Sequence, residues 1–432
     1  MKFVRSGLGR TNRRSVPIGA FVIGGASLWI GGLALANGQV ALSASLRGIA
    51  VWWEVLFPAL FPFFVLSELL LGFGIVHLAG TLLDPFMRPL FRLPGVGAFV
   101  VSMGFVSGYP VGARLTSRLA EQKLVTRNQG ERLVAMTTTS DPIFLIGAVS
   151  IGFFGSLQTA PALAVAHYAG ALLLGLASRF GATAAFPAAA SAADPEPVHR
   201  GGRLRAALAA MHRARLADGR PFGVLLLESL QSSLKLMMIV GGLVVFFSAA
   251  LDLLLNGGIL SPLRHAAAAL LQLFGLAPEL SSAYMNGAFE VTLGAKASAE
   301  NAALPLADRV AVAAFVLSWA GLSVHAQVAG LMSGTDWRYL PFARARLLHG
   351  VVAMILVYAL WPILGPESRI TGSWLLMSAW LPTIEAEAGP SLERAWIVGA
   401  AGLPLLFGAI IAFIVVAGTL AALLGRLKRK LR

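Results

Sequence analysis

The chain has 432 residues, of which 57% are hydrophobic and 12% charged, with a mean hydropathy of +0.77. A soluble domain carries about 25% charged residues, so this deficit excludes one and leaves an integral membrane protein. Cysteine is absent, which excludes disulfides and thiolate metal sites, and the formal net charge of +14 is sorted by loop, a topology signal rather than a nucleic-acid surface.

Residues 1–16 carry Lys2, Arg5, Arg10, Arg13 and Arg14, and an apolar run follows over 17–36. The run is longer than the 7–15-residue core of a signal peptide, about 20 residues, and reads as an uncleaved first helix despite small residues at Ala34–Ala36. Further apolar runs cover 50–75, 133–155, 159–180, 222–255, 309–332, 347–365 and 395–424. Each is long enough to cross a bilayer core of about 30 Å as a helix. With the N-terminus in the cytoplasm, segments 1–16, 77–132, 181–220, 333–346 and 425–432 hold 5, 7, 6, 3 and 5 Lys/Arg, 26 of the 34 in the chain. The positive-inside rule is met only if 94–112 does not cross. That stretch therefore reads as a re-entrant hairpin or broken helix entering from the cytoplasm, and 276–296 as its counterpart from outside.

The predicted fold is an all-α polytopic membrane protein. It has about eight transmembrane helices plus two re-entrant or broken-helix elements in two inverted repeats, with both termini cytoplasmic. Residues 1–49 form the N-terminal segment and first helix, 50–180 the first repeat and 181–220 a basic linker, which reads either as a solvated stretch beside anionic lipid or as a partner surface. Residues 221–365 form the second repeat, and 366–432 an outer loop, last helix and basic tail. The repeat rests on laying 66–145 over 247–329: Gly112-Ala113-Arg114 falls on Gly294-Ala295-Lys296, and MTTTSD (136–141) on AGLSVH (320–325) with a two-residue insertion. Interrupted apolar segments at matching places in inverted repeats point to a transporter's central site.

The stretch GFVSGYPVGARL (104–115) shows why. Irregular backbone at membrane depth is tolerated only where protein buries it or a wet cavity adjoins it. Glycines 104, 108 and 112 permit turns and close approach, while Pro110 lacks an N–H and disfavours helix at Tyr109. Ser107, Gly108, Tyr109 and Pro110 are thus expected at a hairpin tip that offers backbone groups to a polar solute. Asn286, Glu290 and Thr292 are the polar groups of the second tip. Thr139, Ser140 and Asp141 precede Pro142 at a helix break, where Asp141 is an N-cap and also a candidate solute contact. Ser323, His325 and Gln327 occupy the matching place in the second repeat.

Glu68, Glu290 and His325 are candidate proton carriers, since ionisable groups at membrane depth are costly and histidine titrates near neutrality. Each has a plainer alternative: an interfacial Glu68 that snorkels or bonds a neighbouring helix, a Glu290 paired with Lys296, a structurally satisfied His325. Lys235 and Glu228 share a face of span 222–255, Lys235 either snorkelling or serving as a counter-charge. His167 and Asp252 read as lining residues.

FPFFVLSELLLGFG (61–74), PLFRLPGVGAF (89–99), GFVSGYPVGARLT (104–116), ERLVAMTTTSDPIFLIGAVSIGFF (131–154) and WAGLSVHAQV (319–328) make roughly residues 50–365 similar to YlbJ-like sporulation integral membrane proteins. These belong to the wider group with nucleoside-recognition, or Gate, domains, whose relatives include concentrative nucleoside transporters, the membrane part of ferrous iron transport protein B, and spore maturation proteins A and B. The resemblance implies a Gate-type fold with two repeats and a role in endospore formation in a Gram-positive bacterium. It supplies no substrate, and no P-loop GxxxxGK[ST] is present. Two functions follow: a cell-membrane transporter moving a small polar solute, possible proton coupling included, or a non-transporting scaffold or regulator of the spore envelope. An enzyme is not expected, for no nucleophile motif such as GxSxG occurs. The expected partners are the bilayer, the solute and a second copy of the chain, with no cofactor, metal or nucleic acid.

Overall fold

Lipid offers no hydrogen bonds to a peptide backbone, so an apolar chain of this kind satisfies its backbone groups within helices. The computed structural model describes residues 18–181 and 202–366, and every element there is an α-, π- or 3₁₀-helix. The expected last span (395–424), the tails and half of the linker (182–201) lie outside the described residues.

Helix α1 (Ile18–Ala36) is followed by α2 (Gly38–Ala50), which runs through a π-helical stretch (Val51–Leu56) into α3 (Phe57–Gly72). At Gly74, with φ of 77°, the chain turns into α4 (Ile75–Phe91), and the two helices meet at 79°. The expected span over 50–75 is the later part of a longer helical run that ends at this sharp bend. Then come α5 (Val96–Ser107), α6 (Val111–Glu121), α7 (Arg127–Thr137), a π-helix (Ile143–Phe153) and α8 (Ala160–Ser178). Past the linker lie α9 (Gly202–Asp218), α10 (Phe222–Asn256), α11 (Ser261–Leu273), α12 (Ser281–Phe289), α13 (Val291–Glu300), α14 (Leu306–Trp319), α15 (Gly321–Met332) and α16 (Tyr339–Leu364).

Among the described residues, four helical stretches are long and apolar enough to cross a membrane, or five if the bent α3–α4 pair is one span. They are Leu157–Ser178, Phe222–Asn256, Leu306–Met332 and Tyr339–Leu364. The first three coincide with expected runs. The fourth begins eight residues before the expected 347–365, so Arg346 lies inside a helix and not in a cytoplasmic loop. The run 133–155 is not continuous: residues 138–141 leave the helix between α7 and the π-helix. The run 309–332 is interrupted at Ala320, whose φ of 76° is a left-handed conformation that costs a non-glycine residue about 1 kcal/mol or more.

Close backbone contact holds these short pieces together. A Cβ on Gly112 would lie 2.3 Å from the Thr137 hydroxyl, so the α5–α6 hairpin is pressed directly onto α7. A Cβ on Gly294 would lie 2.3 Å from the Gly287 Cα, so the α12–α13 hairpin closes backbone to backbone. Helix α6 rests on α15, and α13 on the π-helix; α7 meets α16, and α14 meets α8. Helices α8 and α16 pack against each other at the centre, and α3 packs against α10.

Candidate functional site

In the first half, α5 stops at Gly108, whose φ of 71° is left-handed, and α6 starts after a cis Tyr109–Pro110 bond. The tip seats on the helix break of the same half: a Cβ on Gly108 would meet Asp141 N and Oδ2 at 2.9 Å. Asp141 Oδ1 accepts the Phe144 N–H at 2.8 Å, so the carboxylate caps the restarting helix, as the Asp-Pro pair predicts. The Thr139 hydroxyl donates to the Gly104 carbonyl at 3.3 Å and ties the break to the hairpin.

The second half uses the same parts with the acid on the other member. Glu290 is the extended residue at the tip of α12–α13 and is 1% exposed. Its carboxylate accepts the Leu293 N–H at 2.8 Å and the Thr292 hydroxyl at 3.3 Å, capping α13. Its expected alternative partner, Lys296, is exposed and makes no ion pair with it. A Cβ on Gly321, at the break, would lie 3.1 Å from Glu290 N. The sequence alignment paired Asp141 with His325, but the break falls at Ala320, and His325 lies five residues beyond it in α15. Its Nε2–H donates to the Trp319 carbonyl at 3.0 Å, one of those left over at the end of α14, and its Nδ1 accepts from Tyr339 at 2.8 Å.

The halves meet at a buried polar junction. The Tyr109 hydroxyl donates to the Leu317 carbonyl at 2.6 Å, from the first tip to the end of α14. Arg346 is 0% exposed; its Nη1 donates to the Ala135 carbonyl at 3.0 Å and its Nη2 to the Ser318 carbonyl. Those carbonyls lie in the last turns of α7 and α14, the two helices that break. Each C-terminus carries about half a negative charge, so the pair offsets the guanidinium without a carboxylate. His167 Nε2 accepts the Ser140 N–H at 3.0 Å, which assigns the ring proton to Nδ1, 2.9 Å from the Ser318 hydroxyl. His349 Nε2–H donates to the His167 carbonyl at 2.8 Å, and the two rings stack with centroids 5.2 Å apart. Tyr168 donates to the Ser140 carbonyl at 3.0 Å.

Of the expected site residues, Ser107, Gly108, Tyr109, Pro110, Thr139, Ser140 and Asp141 come together at the first tip and break, and Glu290 and Thr292 at the second tip. Ser323, His325 and Gln327 are buried on α15 beside it, and Asn286 is half-buried. Glu68 stands apart, ion-paired with Arg114 Nε at 2.8 Å, while Arg114 also donates to the Ser232 hydroxyl. Lys235 is exposed, Glu228 pairs with Arg220 at 2.6 Å, and Asp252 pairs with Arg47. Arg346, His349, Ser318 and Tyr168 went unpredicted, and His167 was given no role. One signal marks two of them: Phe342, Arg346, His349, Ala353 and Val357 form a single buried stripe of α16.

Several buried polar atoms from both halves have no hydrogen-bond partner among the described residues. They include the hydroxyls of Ser107, Ser140 and Ser323, together with Arg346 Nε and His349 Nδ1.

The sporulation integral membrane protein YlbJ of Bacillus subtilis strain 168 is 41% identical over 345 residues, 80% of this chain and 83% of that protein. The chain belongs to the YlbJ family. The family model described as nucleoside recognition (Gate) matches residues 53–160, which run from the π-helical stretch before α3 to the start of α8. An uncharacterized protein of Alkalihalophilus pseudofirmus is 34% identical over 91 residues, 21% of this chain and 19% of that one. No solved structure matches. With its apolar helices, this YlbJ-family chain is an integral membrane protein.

Proposed function

We propose that this YlbJ-family protein is a non-enzymatic cell-membrane transporter that moves a small polar solute by alternating access and serves endospore formation. Buried polar groups are normally hydrogen-bonded, and leaving one unmade costs about 1–3 kcal/mol. The unpartnered hydroxyls of Ser107 at the first tip, Ser140 at the first break and Ser323 just past the second break are the observation that carries the reading. A passing solute would satisfy them in turn.

The inverted-repeat architecture has its own support. Exchanging α3–α8 for α10–α16, with the π-helix taking the place of α15, maps most of the neighbour pairs onto other observed pairs. The α6–α15 pair becomes the pair of α13 with the π-helix, α7–α16 becomes α14–α8, and α5–α7 becomes α12–α14. Self-exchange of this kind suits two halves that rock about a shared centre, and the positive-inside charges set them in opposite orientation. The buried Arg346 guanidinium, whose Nε has no partner among the described residues, suits an anionic or zwitterionic solute.

The test is a thermal-shift screen of purified protein against nucleosides, nucleotides, dicarboxylates, peptidoglycan precursors and divalent metals, wild type beside E290Q. A ligand that raises the wild-type melting temperature and not the variant's supports a solute site at the tips. No shift from any ligand, with E290Q sporulating as wild type, overturns it in favour of a membrane scaffold.

A further inference from the structure

The transport reading asks which group takes up a coupling proton, and two of the expected carriers are engaged elsewhere. Glu68 is ion-paired with Arg114, and both nitrogens of His325 are hydrogen-bonded. The third, Glu290, has both carboxylate oxygens accepting bonds at the head of α13.

The junction holds a different arrangement. A neutral imidazole carries one proton, and its hydrogen bonds reveal which nitrogen bears it. At His167, Nε2 accepts a backbone N–H, so Nδ1 bears the proton and faces Ser318. At His349, Nε2 faces a carbonyl, which only accepts, so Nε2 bears the proton and Nδ1 is a bare lone pair. That lone pair is fully buried and has no partner among the described residues. Gly170 lets the ring sit this close to α8, for a Cβ there would lie 3.0 Å from His349 Cδ2.

We propose that His349 Nδ1 is the proton-acceptor site of this protein, and that the proton and an oxygen-bearing solute occupy the junction together. The inference rests on the transport reading. Its chemistry is a simple proton transfer: the Nδ1 lone pair takes H⁺ from hydronium, an O–H bond breaks as the N–H bond forms, and the products are an imidazolium and water. The bare lone pair repels a solute oxygen, whereas the protonated nitrogen donates to it. Each ligand therefore favours the other, as linkage requires.

The charge nearest His349, the Arg346 guanidinium, repels an imidazolium, so the second charge needs an anion beside it. Arg346 on its own helix and His167 on α8 act on it directly. Tyr168 and Tyr109 lie behind them, and Asp141 acts on both tyrosines. Helix α7 contributes Arg127 and Glu131, paired with each other, Glu131 also bound to Arg338, and Arg132, bound to Ser178 and the Phe91 and Arg92 carbonyls. Helix α14 contributes Asp308, which accepts from the Tyr358 hydroxyl at 2.9 Å, and Arg309, bound to the Ser298 and Ala299 carbonyls. A carboxylate dedicated to His349 is absent among the described residues, so an anionic solute is the natural partner for its second charge.

The experiment uses the full chain in nanodiscs in weakly buffered solution with a pH-indicator dye, and the probes are succinate and inorganic phosphate. H349Q is the test variant, because its amide N–H can keep the bond to the His167 carbonyl but cannot be protonated; H349N is the second variant should H349Q not fold. Supporting results are a probe that raises the melting temperature with uptake of about one proton per site, lost in the variant, and an affinity falling about tenfold per pH unit on the alkaline side. Binding without proton uptake, or uptake unchanged in the variant, overturns the inference and leaves the transport reading standing. If neither probe binds, the transport reading fails for these solutes, and ¹⁵N-histidine NMR from pH 8 to pH 5 decides the proton site. One imidazole that becomes doubly protonated in wild type, and whose signal is missing in the variant, supports it, and none overturns it.

Discussion

Arg346 joins the ends of α7 and α14, and replacing it measures how far the two breaks depend on each other. In R346M the Ala135 and Ser318 carbonyls lose their donor, and nothing else among the described residues is placed to replace it. A hydrogen bond to a charged group contributes about 1.5–3 kcal/mol, so two give about 3–6 kcal/mol. Hydrogen bonds between membrane helices are weaker on average, about 0.6 kcal/mol and at most about 1.7, which brings the expectation down to about 3 kcal/mol. The charge itself refunds little, because the two helix ends already offset it. At about 2 °C per kcal/mol for a chain of this size, the melting temperature should fall by about 6 °C. R346K, whose ammonium reaches one carbonyl well, should fall about half as far. Intrinsic tryptophan fluorescence during heating in detergent reads both. An R346M transition within 1 °C of wild type, or an R346K transition below that of R346M, would refute the staple.

Three further outcomes follow. G112A and G294A should each cost about 2 kcal/mol or more in the same melt, since their new Cβ atoms meet neighbours at 2.3 Å, whereas G330A, with nothing within 4 Å, should be neutral or slightly stabilising. E131Q should lower the melting temperature more than R127A, because Glu131 is buried and accepts three bonds from Arg338 at 2.8–2.9 Å while Arg127 is 43% exposed. The elbow between α9 and α10 should loosen in acid: the Arg220 hydrogen bonds hold the Asp218 carboxyl below its ordinary value, so its contribution is present above about pH 4 and is lost as pH falls through the depressed folded value. Protease cleavage at the elbow followed from pH 6 to pH 2 should accelerate in wild type at the acid end and change less in D218N.

The hairpins and breaks were legible because they are written in residues that cannot do otherwise. Gly108 with Pro110 ends a helix wherever it occurs, and Asp141 before Pro142 starts one. The second break was harder to locate, since Trp319-Ala320-Gly321 contains no proline and stops α14 by a left-handed alanine that composition does not announce. Arg346 was assigned to a cytoplasmic loop because charge counting treats every arginine at the edge of an apolar run as exposed. What overrode that rule is tertiary: two helix ends that exist only once both halves have folded. His349 was hidden for the same reason, since its partner is a backbone carbonyl on α8, and a backbone carbonyl leaves no mark in a sequence.

Helix α10 has a consequence for the membrane that houses it. Its 35 residues are about 52 Å long at 1.5 Å per residue, well beyond a hydrocarbon core of about 30 Å, and tilting to fit would need roughly 55°, outside the usual range of about 0–40°. Part of the helix must therefore stand in water. The Arg220–Glu228 pair and exposed Gln231 mark the wet end, and exposed Lys235 and the Arg47-paired Asp252 stand 17 positions apart, about 26 Å. Two charges fixed at that separation act as a thickness gauge, favouring thin bilayers and resisting sorting into sterol-like thick ones.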